Sequence, residues 1–396
     1  MRVSELDSVR GVAAFVVLLH HLWMIVLPDQ NTFPLTGYPI PGGGALATAA
    51  FWISVSPLRL LFCGHAAVGV FFVLSGFALM KALENPQQRA YTTFITRRFF
   101  RIYPPFAVAI VLAAALSWLL HPQPLPEAEW PSLAWVNAYW TAPVTVPMVL
   151  GHLGMIATAG YYNSLNSAMW TLVHELRISL LFPLIAAAAL VRPRLVLLVA
   201  LLTFVVFSIT HLTHALTSHV QPESVAVFVL SILQTLRYVL FFVFGIVIVR
   251  QAPQIGAWLA RHPGIKPFLW ATAAILLAIP YTKGYTELLY AVGSFLLLNL
   301  CLHSDRARAV LRNPVLQWLG RISYSLYLTH LVVLLALVYA LYGVLPMWLI
   351  LLLVLVVSLG VAEIFNRWVE MPSARLGKRM ATRPTGKLAP AASGGD

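Results

Sequence analysis

Long apolar runs constrain this chain more than any other feature of its sequence. Ten of them follow one another, most of them close to the ~20 residues that a helix needs to cross a bilayer. The first run ends at Leu27, and the others lie at 66–84, 105–120, 168–190, 195–213, 226–249, 267–282, 284–302, 322–342 and 347–366. Only 10% of the 396 residues are charged, against about 25% in soluble domains. The sequence therefore excludes a soluble or disordered protein and predicts an all-α polytopic membrane protein with about ten transmembrane helices.

The positive charges predict the orientation of these helices, because cytoplasmic loops are enriched in Lys and Arg. If the N-terminus is cytoplasmic, the opposite connections are nearly empty of positive charge, with Lys283 as the exception. The cytoplasmic set is then Lys81, Arg89, Arg97, Arg98, Arg101, Arg192, Arg194, Arg250, Arg261, Lys266, Arg306, Arg308, Arg312 and Arg321, followed by the basic C-terminal residues. We therefore expect both termini in the cytoplasm, with a transmembrane domain over residues 1–370 and a basic, partly disordered tail over 371–396.

Two apolar segments need a separate interpretation. The first run resembles a signal peptide, but no small-residue cleavage site follows it promptly and His20 and His21 interrupt it, so we expect an uncleaved first span. The stretch 45–63 is broken by Pro57 and Arg59, which favours a re-entrant or interfacial segment. If that stretch spanned the membrane, every later orientation would reverse.

The net charge of +13 does not indicate nucleic-acid binding. The Lys and Arg residues lie at alternate ends of apolar runs, as the enrichment of cytoplasmic loops requires, and form no stripe with interleaved aromatic residues. Cys63 and Cys301 lie in apolar surroundings without C-x-x-C spacing, so we expect two small buried side chains. The sequence therefore predicts no nucleic-acid partner, no disulfide framework and no metal site.

Ionisable side chains inside a span are costly and are therefore candidates for function. In the first span, the eleven residues from Arg10 to His21 turn the helix by three full turns and about 20°. Both side chains thus share a face, with a rise of ~16 Å between them, whereas His20 lies some 80° away. Alternatively, Arg10 is an interface anchor and the histidines hydrogen-bond to neighbouring helices.

Three arginines in FITRRFFRIYPPF form a second candidate site, comprising Arg97, Arg98 and Arg101. Arg97 and Arg101 share a helix face, and Arg98 adjoins Arg101 across one turn. The only role of the cluster could be to set the orientation of the span through its positive charge, but Lys would serve that purpose equally well. The planar guanidinium suits bidentate phosphate binding, so the choice of Arg favours a phosphate-binding surface on the cytoplasmic side.

Two later spans also carry polar groups. The sequence SAMWTLVHELRISLLFPL places three ionisable residues within four positions, namely His174, Glu175 and Arg177. In GRISYSLYLTHLVV, three residues at i, i+3 and i+6 lie on one side of the ninth span, namely Tyr324, Tyr327 and His330. The alternatives are an internal ion pair between Glu175 and an arginine, which would fix helix rotation, and an interfacial aromatic belt for the tyrosines.

At these residues the sequence resembles the acyltransferase-3 family of integral membrane acyltransferases. Six elements match in order, from Leu6 to about Arg379, and the set is specific although each element alone would be weak. They are LDSVRGVAAFVVLLHH, GVFFVLSGFAL, RRFFRIYP, WTLVHELRISLLFPL, LGRISYSLYLTHLVV and VEMPSARLGKR. The sequence resembles those members of the family that lack a fused esterase-like domain.

The resemblance implies transfer of an acyl group, commonly acetyl, from acyl-coenzyme A to a hydroxyl of a cell-surface or lipid-linked carbohydrate in the bacterial inner membrane. It places the family's glutamate at Glu175, and the helical phase selects His21 over His20 as the family's histidine. We therefore expect His21 and Glu175 to be catalytic. Donor binding is expected at Arg10, Arg97, Arg98 and Arg101, and substrate binding at Trp170, Tyr327 and His330. The roles of His20 and His174 stay open.

The same residues predict the path of the substrates. The donor would enter from a basic cytoplasmic mouth and pass Arg10, so that its thioester reaches His21, which would act as general base. We expect a second opening towards the outer leaflet, lined in part by Glu175 and by aromatic side chains, although a pocket open only to the cytoplasm is an alternative. A transporter or flippase with a proton relay through His21, Glu175 and His330 is the other class of function to consider.

Overall fold

The computed structural model describes residues 4–26, 48, 52–127, 132–155, 164–209, 225–281 and 284–382, and these residues form helices and connections without a β-strand. The helices, in chain order, are α1 Ser4–Val26, α2 Gly64–Glu84, α3 Tyr91–Leu120, α4 Leu133–Asn137, α5 Val146–Leu153, α6 Met169–Val191, α7 Pro193–Ile209, α8 Val225–Arg261, α9 Lys266–Ala278, α10 Thr286–His303, α11 Asp305–Leu311, α12 Pro314–Leu341, α13 Met347–Phe365 and α14 Met371–Thr382. Three-residue and six-residue 3₁₀ turns and one π turn, Asn366–Glu370, complete the described elements.

Eight of the described helices are long and apolar enough to cross a membrane, and they include α1, α2, α3, α6, α10 and α12. Two shorter apolar helices, at Pro193–Ser208 and Pro263–Ala278, coincide with two further apolar runs of the sequence. The structure thus confirms an all-α polytopic membrane protein. Within the described ranges, Cys63 and Cys301 are buried free thiols.

The described part of the stretch 45–63 does not form a spanning helix. It contains a helical turn at 52–54 and the 3₁₀ helix Pro57–Phe62, which begins where the Leu58 amide donates to the Ser56 hydroxyl at 3.2 Å. Trp52 and Leu58 are exposed. This geometry is that of a short apolar segment beside the bundle, while residues 45–47 and 49–51 lie outside the described ranges.

Helices α1 and α12 pack together more extensively than any other pair of helices. Glycine makes their approach possible, because a Cβ on Gly11 would lie 2.3 Å from the Gly320 nitrogen and a Cβ on Gly320 would lie 2.4 Å from the Asp7 carbonyl oxygen. Neither backbone can yield to such a contact without separating the helices. The crossing aligns the face of α1 that carries Arg10 and His21 with α12.

Helices α2 and α8 meet in a similar way. A Cβ on Gly76 would lie 2.3 Å from the Phe242 carbonyl oxygen, and one on Gly245 would lie 2.3 Å from the Phe77 nitrogen. Small residues at such crossings let helix backbones approach closely, which drives packing where water supplies no hydrophobic force. This second crossing fixes α2, which forms one wall of the site described below.

The segment assigned to the tail begins with helix α14, which packs along α3. The Ser373 hydroxyl donates to the Phe100 carbonyl, and Thr93 Oγ1 donates to the Ala381 carbonyl at 3.4 Å. Gly377 lies against the Phe100 side chain. The helical bundle therefore extends to Thr382 in the structure, while residues 383–396 lie outside the described ranges.

We expect Gly11→Ala to destabilise the protein by about 2 kcal/mol, since overpacking a close helix crossing forces backbone shifts. Thermal unfolding of the purified protein in detergent measures the effect. The matched control is Gly360→Ala on α13, where a Cβ would have no atom within 4 Å, and where Ala favours the helix by up to about 1 kcal/mol. Equal midpoints for both variants would contradict the importance of the α1–α12 crossing.

Candidate active site

A cavity of about 540 Å³ lies among α1, α2, α3, α6 and α12. Its wall carries five cationic side chains against the two carboxylates Asp7 and Glu175, so its net charge is positive. The cations are Arg10, Lys81, Arg97, Arg98 and Arg101. Asn85, which is exposed and follows α2, also lines the cavity, so its mouth lies at the connection between α2 and α3. The structure thus brings all four arginines predicted to bind the donor into one cavity.

These arginines differ in how much of their hydrogen-bonding capacity is already used. Arg10 pairs with Asp7 at 3.3 Å, one turn away on α1. Arg101 lies 3.9 Å from Glu370 and is 42% exposed. The Nε of Arg97 is buried and has no hydrogen-bond partner in the described part of the chain. Arg10, Arg98 and Arg101 each lie within ion-pair distance of a carboxylate, and Arg97 forms no ion pair with a described residue, so Arg97 keeps the most charge for an anionic ligand.

Arg98 and Glu175, by contrast, are committed to each other. Arg98 forms an ion pair with Glu175, and its Nε donates to the Ser179 hydroxyl at 3.0 Å. The Ser75 hydroxyl donates to the same Glu175 oxygen at 2.8 Å. These contacts tie α3, α6 and α2 together at the wall of the cavity. The ion pair considered for Glu175 from the sequence is therefore present, and it places Glu175 in the basic cavity.

His21 lies in a different place, against His330 of α12. The two ring centroids are 5.0 Å apart, and His330 Nε2 lies 3.3 Å from His21 Nδ1. His330 is fully buried, whereas His21 is half-buried. His20 faces another part of the bundle, where its Nδ1 lies 2.8 Å from the Phe62 carbonyl oxygen and its ring contacts His65. The phase difference expected between the two adjacent histidines is thus present in the fold.

The hydrogen bonds of the histidine pair define its neutral tautomers. His21 Nδ1 lies 2.8 Å from the Val17 carbonyl oxygen, and His330 Nδ1 lies 3.0 Å from that of Leu326. Because a carbonyl oxygen can only accept, each Nδ1 carries the hydrogen. Nε2 of His21 therefore has the free lone pair that a base needs, while Nε2 of His330 presents its lone pair to the Nδ1–H of His21.

Tyr327 separates this histidine pair from the basic cavity. It lines the cavity, and its ring centroid lies 5.9 Å from that of His330, one turn further along α12. Its hydroxyl lies 2.7 Å from Thr171 Oγ1 and donates to the Ala168 carbonyl at 3.0 Å. The position of Tyr327 makes it the wall between the arginines and His21.

Trp170 lies behind the cavity wall. Its ring packs near Phe72, Tyr238 and His174, with centroid distances of 6.3, 5.7 and 5.9 Å. His174 is buried, and its Nδ1 lies 2.9 Å from Thr235 Oγ1 of α8. The structure therefore places Tyr327 and His330 beside His21, and Trp170 and His174 between α6 and α8.

Sequence reasoning missed three side chains of this region. Ser75 hydrogen-bonds to Glu175, and Thr171 hydrogen-bonds to Tyr327. The ring centroid of Trp135 of α4 lies 5.7 Å from that of His21. Ser75 lies within GVFFVLSGFAL, one of the six elements that carry the family resemblance, so the sequence could have marked Ser75 as a candidate site residue. Nothing in the pattern around Trp135 relates it to α1, because that contact depends on how the connection between α3 and α6 folds back.

Comparison with known proteins identifies the family of the chain. The model of the acyltransferase-3 family, described as an acyltransferase domain, matches residues 3–367. The chain belongs to the acyltransferase-3 family. It is also similar to the acyltransferase MdmB of Streptomyces mycarofaciens, with 28% identity over an alignment of 306 positions that covers 71% of each chain. No solved structure matches the chain.

Family membership confirms the resemblance seen in the six sequence elements and makes this protein a membrane acyltransferase. It favours an enzyme over the transporter or flippase considered as the alternative. An acyltransferase needs a site for its donor and a group that activates its acceptor. The basic cavity and the His21–His330 pair are the two parts of the described structure that fit those needs.

We expect Arg98→Ala to lower the thermal stability of the protein more than Arg97→Ala does, because it leaves the Glu175 carboxylate without its cation. Replacing both Arg98 and Glu175 by Ala should recover part of the loss. A double-mutant cycle on unfolding midpoints should give a coupling of about 2 kcal/mol. A coupling of zero would show that the ion pair does not hold α3 to α6.

Proposed function

We propose that this acyltransferase moves an acyl group, commonly acetyl, from acyl-coenzyme A to a hydroxyl of a cell-surface or lipid-linked carbohydrate. Its place would be the plasma membrane of a bacterium. The observation that carries the proposal is the arrangement of α1 and α12. Helix α1 contributes Arg10 to the cavity and also carries His21, whose Nε2 is free, while α12 places Tyr327 on the cavity wall and His330 against His21.

The donor would place its phosphates among the arginines of the cavity. Guanidinium groups bind phosphate oxygens through paired hydrogen bonds, and Arg97 lines the cavity without an ion pair to a described residue. The long pantetheine arm would then run along α1 from Arg10 towards His21, a rise of ~16 Å. Tyr327 would have to turn away from Thr171 to admit the thioester.

His21 would act as the general base. As the acceptor oxygen attacks the thioester carbonyl carbon, Nε2 of His21 takes the hydroxyl proton, and the new C–O bond forms. The C–S bond then breaks, and the leaving thiolate of coenzyme A takes the proton back from Nε2. The reaction therefore consumes one acyl-coenzyme A and releases one free thiol for each ester formed.

His330 would support His21. When Nε2 of His21 gains a proton, the ring becomes a cation. Its Nδ1 lies 3.3 Å from Nε2 of His330, whose lone pair can share the Nδ1 hydrogen with the Val17 carbonyl oxygen. That hydrogen bond favours the charged ring and holds its orientation. In this proposal His330 is a positioning residue, and Glu175 maintains the cavity wall through Arg98 and Ser75.

We expect His21→Ala to lower the rate of acyl transfer by at least about 100-fold, which is the usual lower bound for the loss of a general base. The variant should still fold. The measurement is thiol release from acetyl-coenzyme A together with mass spectrometry of the acylated acceptor. His20→Ala is the matched control, since His20 faces Phe62 and His65, and it should retain most of the activity. If His20 proved essential and His21 dispensable, this assignment would be wrong.

We expect Arg97→Ala to raise the KM for acetyl-coenzyme A by about tenfold, which corresponds to ~1.4 kcal/mol, with little change in kcat. Arg97→Lys should recover only part of the loss, because the fork geometry is gone. With S-acetylpantetheine, which lacks the phosphates, the variant and the wild type should behave alike.

Arg250→Ala controls for the removal of a positive charge, since Arg250 is an exposed arginine of α8 outside the cavity. The ratio of the KM for S-acetylpantetheine to the KM for acetyl-coenzyme A measures the preference for the donor with phosphates. If this ratio were the same in Arg97→Ala as in the wild type, it would contradict phosphate binding at Arg97.

A further inference from the structure

A segment of the connection between α3 and α6 covers His21. Three of the four arginines of the basic cavity come from the first three turns of α3, whereas this connection leaves the other end of that helix, at Leu120. The Trp135 ring is tilted by 36° from the His21 ring at a centroid distance of 5.7 Å. Tyr139 follows one turn later, with its ring 5.5 Å from that of Trp135.

The backbone beneath these rings is firmly held. The Tyr339 hydroxyl of α12 lies within 3.0 Å of the Val136 carbonyl oxygen and 2.8 Å of the Tyr139 carbonyl oxygen, so its hydrogen can serve either acceptor. Leu133 and Val136 are fully buried. An aromatic pair on an anchored backbone loses little entropy when a ligand binds to it, which is what a binding platform requires.

Trp135 has an unused hydrogen-bond donor. Its indole N–H has no partner among the residues that the structure describes, and the side chain is half-buried. Trp140, five residues later, uses its indole N–H to donate to the Leu165 carbonyl at 2.9 Å. Trp140 is buried and satisfies its donor as interior tryptophans usually do, whereas the Trp135 nitrogen is not among the buried unpaired atoms of the described residues and is therefore open to a ligand.

We propose that Trp135 is the stacking platform of the acceptor site, and this proposal rests on the function proposed above. An acceptor with a flat, C–H-rich ring face, such as a pyranose, would lie against the indole, with Tyr139 at its edge. One ring hydroxyl would then face Nε2 of His21, while the Trp135 indole N–H, which lies in the plane of the indole, would be left to donate to a group of the acceptor beyond the edge of the stacked ring. An open-chain polyol has the same hydroxyls but no rigid face to stack.

The test compares two acceptors that share an octyl-length tail. Octyl β-glucoside carries a pyranose ring, and octanoyl-N-methylglucamide carries an open chain. Both are supplied below their micellar concentrations to the full-length protein in lipid nanodiscs with acetyl-coenzyme A. Mass spectrometry measures the acetylated product, and thiol release without acceptor measures hydrolysis of the donor. We expect the wild type to acetylate the glucoside at least about tenfold faster than the open-chain compound.

Trp135→Ala should reduce kcat/KM for the glucoside by about tenfold, chiefly through KM, and should leave donor hydrolysis within about twofold of wild type. Trp135→Phe should recover most of the loss, because it keeps an aromatic face. Trp118→Ala is the matched control, since Trp118 is 64% exposed on α3, and it should match the wild type.

Three results would overturn the proposal: no acetylation of the glucoside by the wild type, equal acetylation of the two acceptors, or an unchanged KM in Trp135→Ala. A parallel loss of hydrolysis and transfer in Trp135→Ala would also overturn it, because it would show a packing role beneath His21. Transfer that survives His21→Ala would instead contradict the proposed function, so the two failures are distinguishable.

Discussion

The contact between the backbones of α1 and α12 at Gly11 and Gly320 is the constraint on which the rest of the site depends. It sets the rotation and depth of α1 against α12, and therefore decides which side chains meet above the crossing. With this register, His21 lies against His330 and Arg10 enters the same cavity as Tyr327. A helix pair that packs through larger side chains would separate by several ångströms, and the imidazole contact would be lost.

Charge placement is the second constraint, since an isolated ion at bilayer depth costs several kcal/mol. The described helices meet this cost by pairing: Arg98 with Glu175, and Arg237 of α8 with Glu287 of α10 at 3.0 Å. The basic cavity keeps an excess of positive charge, which an anionic ligand would neutralise. Pairing therefore stabilises the bundle. Four described arginines, Arg59, Arg97, Arg237 and Arg308, keep a buried Nε without a hydrogen-bond partner, and of these four only Arg97 lines the basic cavity.

Much of the fold and part of the site could be predicted from the sequence. Apolar runs longer than ~18 residues have few alternatives to a spanning helix, and helical phase alone separated His21 from His20. The partners of Glu175 could not be predicted, because Ser75 and Arg98 reach it from other helices. The contact between Trp135 and His21 could not be predicted for the same reason, since the path of a connection depends on packing between distant segments. Tertiary contacts therefore decide what each polar residue faces.

We propose that a donor held by the arginines of the basic cavity brings its thioester next to His21, where the acceptor hydroxyl takes the acyl group. Photocrosslinking with an acyl-coenzyme A that carries a diazirine in its acyl chain tests this claim most directly. After irradiation and digestion, mass spectrometry should locate the label on the peptide of α1 that contains His21 or on the α12 segment around Tyr327 and His330. Excess coenzyme A should suppress the labelling. Labels confined to the cavity mouth, near Lys81 and Asn85, would contradict the account.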